Sequence, residues 1–207
     1  MAGRKIPEEQ RRESLLRAAF AVAAREGLAG VTARAVAAEA GVSSGLVFFH
    51  FHTVDTLLAA LLEWLLAHTF VAAERPIGVG TDESATARML AAVRRDLDAL
   101  PRGRQRVELF FDYWVRGTRD PAVRETIRQA LERYRAAFLP LAAGVVASAP
   151  AGRYGPDPAA AAAGLATVAA TFVEGCALRV VLDPDGFEVD AAMATLAALV
   201  RAPATVG

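Results

Sequence analysis

Residues 41–51 read Gly-Val-Ser-Ser-Gly-Leu-Val-Phe-Phe-His-Phe, and no other stretch narrows the possible folds as far. An alanine-rich run from Thr32 to Ala40 precedes it, behind a longer pattern in which arginines and glutamates separate apolar positions. A helix, a short helix, a glycine turn and a second short helix ending in aromatics together read as a helix-turn-helix. Such a second helix, polar on its outside and held out from a small apolar core, is shaped to enter a DNA major groove.

Composition supports a helical reading. The chain is 54% hydrophobic and 22% charged, which excludes wholesale disorder. Much of the apolar content is alanine, and valine falls in helical rather than alternating patterns, so an all-α protein is expected. The net charge of zero gives no global nucleic-acid signal. Residues 1–55 carry seven basic and six acidic side chains, with Arg4, Lys5, Arg11, Arg12 and Arg17 clustered at the N-terminus. The single cysteine, Cys176, excludes an intramolecular disulfide and fits a reducing compartment. The N-terminus lacks the apolar core of a signal peptide. The longest apolar run, Ala159–Val173, stops at Glu174, short of a membrane span. A cytoplasmic protein with no membrane partner is expected.

Start and stop signals divide the chain into about nine helices, three before residue 52 and six after. Pro7-Glu8-Glu9 opens the first, which Gly27 closes; Thr32 caps the second, Gly41 turns the chain, and Ser43 caps the third. A fourth runs from Asp55 through Leu57, Leu58, Leu61, Leu62, Leu65 and Phe70, before a break at Arg75–Gly80 and a cap at Thr81-Asp82-Glu83. Pro101-Arg102-Gly103 is a second break, and Asp120-Pro121 starts a helix with Val123, Ile127, Leu131, Tyr134 and Phe138 on one face. Residues 149–156 form a loop, Asp157-Pro158 opens a long small-residue helix, and a final helix covers roughly Val189–Val200. The expected division is a DNA-binding domain over 1–53 and a larger helical domain over 54–207.

This pattern resembles the tetracycline-repressor (TetR) family. The resemblance rests on Gly27, Thr32 and the run Ala40-Gly41-Val42-Ser43-Ser44-Gly45-Leu46-Val47-Phe48-Phe49-His50-Phe51. It is sharpest over residues 15–65, and is reinforced by Phe172-Val173-Glu174-Gly175-Cys176-Ala177-Leu178-Arg179 followed by Asp183-Pro184. The resemblance implies a homodimer, paired through its last two long helices, that binds a palindromic operator as a repressor. It further implies that a small apolar or amphipathic effector in the second domain tilts the fourth helix through the link at His52–Asp55 and releases DNA. DNA contact is thereby expected at Thr32, Arg34, Ser43, Ser44, Gly45, Phe48, Phe49 and His52, with one of the two phenyl rings packing the small domain instead. Family members often carry lysine where Ser44 stands, tyrosine where Phe48 stands, and Pro-Ser-Lys at His52-Thr53-Val54. Phosphate contacts dominate affinity, so these departures shift weight to the N-terminal arm, Thr32, Arg34 and His50. A second reading keeps the helical ligand-binding or scaffold role and gives up DNA binding.

Phe110, Trp114, Tyr134 and Phe172, with Trp64 and Met89, are the candidates for an effector pocket, although the same spacing fits ordinary core. Glu108, Asp112 and Glu174 are candidates to fix a polar or cationic end of the ligand, or to make structural hydrogen bonds. Gly41-Val42-Ser43-Ser44-Gly45 matches the Gly-x-Ser-x-Gly nucleophile elbow, but that motif needs a preceding strand and the pattern here is helical. His50 and His52 have no cysteine or carboxylate cluster to complete a zinc site. No acid/base pair or phosphate loop stands at workable spacing, so neither an enzyme nor a cofactor is expected. Cys176 reads as a packing residue, and Arg124, Arg128, Arg133 and Arg135 read as a solvated helix face.

Overall fold

The computed structural model describes residues 7–69 and 84–201. Every regular element among them is helical: α1 (Glu8–Glu26), α2 (Ala33–Ala40), α3 (Ser44–Phe51), α4 (Val54–Thr69), α5 (Ala85–Ala99), α6 (Arg104–Gly117), α7 (Pro121–Ala147), α8 (Pro158–Leu182) and α9 (Val189–Arg201), with a short 3₁₀ turn at Leu28–Gly30. The chain forms two compact units. Within the described residues the first holds 7–69 and 108–127, and the second holds 84–107 and 128–201.

In the first unit, α1 carries Glu8 and Glu9 in its opening turn and Arg25 in its last, each placed against the helix dipole of opposite sign. Its buried stripe of Leu15, Leu16, Ala19, Val22 and Ala23 joins Val31, Val36, Val47, Phe51, Leu57, Leu61 and Leu65 among the buried residues. Thr32 caps α2 by accepting the Ala35 N–H at 3.1 Å. Gly41 ends α2 at φ 65°, ψ 34°. The Val42 N–H reaches the Ala37 carbonyl (2.9 Å) and the Gly41 N–H reaches that of Ala38 (3.3 Å), the paired bonds of a Schellman turn. Only glycine adopts that backbone without a Cβ penalty.

α4 follows α3 after a 72° change of direction. The corner is His52, at φ 59°, ψ −44°, with the Thr53 N–H bonded back to the Phe51 carbonyl at 2.6 Å. That is a γ-turn of the uncommon positive-φ kind, which carries strain in a non-glycine residue. Thr53 and Thr56 then cap α4 reciprocally: Thr53 Oγ1 accepts the Thr56 N–H (3.0 Å) and Thr56 Oγ1 accepts the Thr53 N–H (3.1 Å). Two polar contacts fix α4 further. The buried Tyr113 hydroxyl donates to the Leu58 carbonyl at 2.7 Å, and the Trp64 indole N–H donates to both oxygens of Glu13 at 3.0 and 2.9 Å.

The second unit packs α5 against α8 and α9. Its core draws Ala85, Ala92, Ala142, Ala162, Ala166, Ala169 and Ala170 together with Met89, Val93, Leu97, Tyr134, Phe138 and Cys176. Alanine on facing helices permits close approach, and a Cβ added at Gly144 on α7 would lie only 3.3 Å from that of Ala85. Asp157 caps α8 through the Ala159 and Ala160 N–H groups (2.9 and 3.1 Å), ahead of Pro158 in the first turn. Arg94 of α5 pairs with Asp98 and with Asp190 of α9, and Arg153 donates to the Val200 carbonyl at the end of α9.

Several expectations change. α5 is capped by Ser84, whose hydroxyl accepts the Ala87 N–H at 3.1 Å; the expected cap at Thr81–Glu83 and the break at Arg75–Gly80 lie outside the described residues, as does Phe70. Pro140 sits inside α7 without ending it. Proline removes one main-chain donor, and packing of the flanking Phe138, Ala142 and Val145 retains the helix around that loss. Arg124 is exposed as expected, and it also closes the α6–α7 turn by donating to the carbonyls of Gly117 (3.0 Å) and Thr118 (3.1 Å). The uninterrupted apolar run stops at Glu174, but α8 itself runs on to Leu182, where its end was expected. This makes α8 long and apolar enough to cross a membrane by length and composition, with mean hydropathy 1.7, although it also buries a stripe from Ala162 to Val180 in the helical core. α3 and α4 pass the same test only if taken together across their bend.

Candidate nucleic-acid interface and ligand-side residues

α3 is one helix with two unlike sides. Val47 and Phe51 are buried, while Ser44, Gly45, Phe48 and Phe49 are exposed. Positions 44 and 48, and 45 and 49, are four apart and so lie on one face. The outer face was expected to be polar. It is instead a hydroxyl, a bare backbone position and two phenyl rings, because the only polar side chains from Ser43 to His52 are two serines and two histidines. Both phenyls are exposed, at 48% for Phe48 and 68% for Phe49, so neither packs the small domain as one was expected to. Phe49 meets His50 edge to face at 5.3 Å.

Thr32 and Ser43 stand at the N-termini of α2 and α3, each accepting a main-chain N–H (3.1 and 3.3 Å). A hydroxyl that accepts still has its own proton to donate, so both can bond an incoming phosphate oxygen while capping. Arg34 is exposed on α2, and His52 is exposed at the α3–α4 corner. Arg12, one of the clustered N-terminal basic residues, lies with its guanidinium over the Phe51 ring at 5.2 Å and braces α3 from α1. Arg25 ties α1 to α2 through Glu39 at 3.2 Å. Partial burial works against the Glu13 carboxylate, but bonds from Trp64 and Arg17 hold it below the usual range. Ser43 joins two helices, so the strand-to-helix elbow of a hydrolase is not formed there.

The ligand candidates divide between the units. Trp64, Phe110 and Trp114 belong to the first. Trp64 is half-buried, stacks on His68 at 4.2 Å and directs its N–H to Glu13. Phe110 is buried and meets the exposed Trp114 edge to face at 5.9 Å. Met89, Tyr134 and Phe172 come together on the core of the second unit. There the structure adds a residue that sequence reasoning missed. Asp96 is the buried charged residue among those described, accepting the Tyr134 hydroxyl at 2.7 Å with Arg95 at 3.5 Å. Burial raises its pKa against the opposing pull of Tyr134 and Arg95. Counting from Met89 and Val93 along α5 places Asp96 on the apolar stripe, and that spacing was the available signal. Glu174 is half-buried on α8 and burial raises its pKa too; Glu108 is half-buried and Asp112 exposed. Cys176 is buried in the core, which raises its thiol pKa. Among the described residues no three His, Cys, Asp or Glu side chains are grouped to hold a metal.

Two short capped helices crossed over a small apolar core, the second presenting its face to solvent, define a helix-turn-helix transcriptional regulator. Residues 15–61 match the N-terminal domain of bacterial regulatory proteins of the tetR family, and residues 85–203 match the C-terminal domain of BetI-type transcriptional repressors. The chain belongs to the TetR family of transcriptional regulators. Its fold is shared with a transcriptional regulator from Rhodococcus sp. Rha1 (25% identity, 91% of this chain and 93% of that one, TM-score 0.69). A regulator from Streptomyces coelicolor A3(2) is similar over 94% of this chain and 99% of its own (22% identity, TM-score 0.69). A third, from Saccharomonospora viridis in complex with choline, covers 91% and 94% (20% identity, TM-score 0.70). No curated protein matches the chain.

Proposed function

We propose that this regulator is a homodimeric repressor that binds a palindromic operator through its two α3 helices and is released by a small amphipathic effector. Residues 1–53 supply the DNA contacts, and residues 54–207 bind the effector and dimerise. The observation that carries the reading is α3 itself, buried on the Val47 and Phe51 side and open on the Ser44, Gly45, Phe48 and Phe49 side. Thr32, Arg34, Ser43 and His52 flank that face as phosphate partners. In the DNA-bound state the two copies of α3 stand about 34 Å apart, one helical turn of DNA. The effector binds better to a second state in which α4 has moved and that spacing no longer fits; equal affinity for both states would shift nothing.

Dimerisation is supported by α8 and α9. Val168, Leu178 and Leu182 on α8 and Leu199 on α9 are exposed, and a Cβ at Gly164 or Gly175 would meet no atom of its own chain within 4 Å. Room on one side and apolar surface on both helices suit a four-helix interface with a second copy.

Effector contact is proposed for Met89, Tyr134 and Phe172 in the second unit and for Trp64, Phe110 and Trp114 in the first. The carboxylates of Asp96 and Glu174 near aromatic rings suit a cationic head group, since ammonium groups are attracted to ring faces. Choline, held by a relative of the same fold, is therefore the first probe.

The test is a fluorescence-anisotropy titration of the full chain against its own upstream DNA and against random-site-selected DNA, repeated across salt concentrations and with choline. Selective binding that weakens steeply with salt supports the reading, and release by choline sharpens it. A folded dimer that selects no sequence from random DNA would overturn it in favour of a helical ligand-binding protein without DNA function.

A further inference from the structure

We infer that α3 distinguishes bases chiefly by apolar contact with thymine methyl groups, and that Phe49 is the principal specificity-determining residue. The inference rests on the DNA-binding reading above and adds what that face can recognise.

Base readout in the major groove normally uses arginine or lysine on guanine, asparagine or glutamine on adenine, and aspartate or glutamate on cytosine. From Gly41 to Val54 this chain has none of these residue types. What α3 offers outward instead is Ser44, Gly45, Phe48 and Phe49. The C5-methyl of thymine is the apolar feature among the major-groove base edges, and a phenyl ring is a suitable partner for it. Phe49 is the more exposed of the two rings, and its edge-to-face contact with His50 at 5.3 Å restricts how the ring turns. Phe48 lies beside it and closer to the helix body.

Gly45 belongs to the same device. A Cβ there would meet only Ser43 Oγ, at 3.8 Å, so nothing within the chain requires a glycine. One turn before Phe49 on the same face, the missing side chain lets the α3 backbone come near the groove floor, as a short-reaching phenyl requires. The flanking hydroxyls of Thr32 and Ser43 and the guanidinium of Arg34 then position the helix on phosphates, contacts that carry no sequence information. Affinity and specificity are thus separated in this chain: polar groups around α3 hold the duplex, and rings on α3 choose among bases.

The experiment uses the full-length protein and the best site from random-site selection. Each thymine of a half-site is replaced in turn by deoxyuridine, which keeps base pairing and hydrogen-bonding edges and deletes only the methyl. One or two positions per half-site are expected to lose about fourfold in affinity, the ratio that corresponds to burying one methylene-sized group. That ratio should not change with salt, because the deleted group is uncharged, while overall affinity falls with salt. Phe49→Ala should bind the thymine and deoxyuridine sites equally, with its helical circular dichroism unchanged because the ring is exposed; Phe49→Leu should keep part of the discrimination. Selective binding with no deoxyuridine effect at any position, or discrimination that survives in Phe49→Ala, would overturn the inference and leave the DNA-binding reading standing. A folded protein that selects no DNA overturns both.

Discussion

The two units solve the same packing problem with different side chains. The first fills its core with Leu15, Leu16, Leu57, Leu61, Leu62 and Leu65 around short helices whose ends are tied by threonine, serine and glycine caps. The second brings long helices close together over Ala85, Ala92, Ala142, Ala162, Ala166, Ala169 and Ala170, and places the Asp96–Tyr134 hydrogen bond inside. Their outward apolar residues differ as well. On α3 of the first these are Phe48 and Phe49; in the second they run along α8 and α9 as Val168, Leu178, Leu182 and Leu199. A leucine core tolerates shape change but depends on volume, whereas an alanine core depends on helix separation. Each unit is therefore sensitive to a different kind of substitution.

The largest effect tests that contrast directly. Leu61→Ala, at a fully buried position, should cost about 2–5 kcal/mol by lost transfer energy and cavity formation, read as a lower urea midpoint. Ala166→Leu asks the reverse question in the second unit. Ala166 is also fully buried, and the added carbons should force the helices apart at a cost of about 1–3 kcal/mol; an unchanged or raised midpoint would mean that the alanine core holds spare volume.

The buried polar pair gives a pH-dependent test. Because burial raises the folded-state pKa of Asp96, the folded chain binds this proton more tightly than the unfolded chain. Its contribution is present below the unfolded value of 3.8 and is lost as pH rises through the raised value. Asp96→Asn keeps an acceptor for the Tyr134 hydroxyl and removes the titration. Melts compared at pH 4 and pH 7 should show the variant gaining on the parent as pH increases; a constant or falling difference would show that the carboxylate is well compensated in its ionised form. The smallest effect is at His52. Glycine relieves the positive-φ strain but adds unfolded-state freedom, so His52→Gly should raise stability by at most about 1 kcal/mol, visible as a slight increase in Tm.

The contrast also explains which parts were legible in the sequence. Caps and turns in the first unit depend on local chemistry, so Thr32, Gly41 and Ser43 fall where their residue types predict. Helix starts at Asp120-Pro121 and Asp157-Pro158 were readable for the same reason. The end of α8 near Leu182 was readable as well, while the proline inside α7 was not singled out, and tertiary packing there overrides a local stop signal. The outer face of α3 was read as polar with one phenyl turned inward, because helix amphipathicity is normally read with apolar residues inside; the exposed Phe48 and Phe49 reverse that rule. Asp96 was overlooked among neighbouring charges in Arg94-Arg95-Asp96-Leu97-Asp98, where only its place in the helical repeat distinguishes it. The residues singled out as effector candidates divide between the two units, and sequence spacing carries no information about that.

Cys176 gives the second unit a built-in clock. It is the chain's one thiol, it points into the core rather than toward the exposed side of α8, and burial keeps it protonated. An alkylating reagent reaches it only when that core opens, so the labelling rate at high reagent concentration measures how often α8 leaves its neighbours, and the rate at low concentration measures the fraction of time it is away.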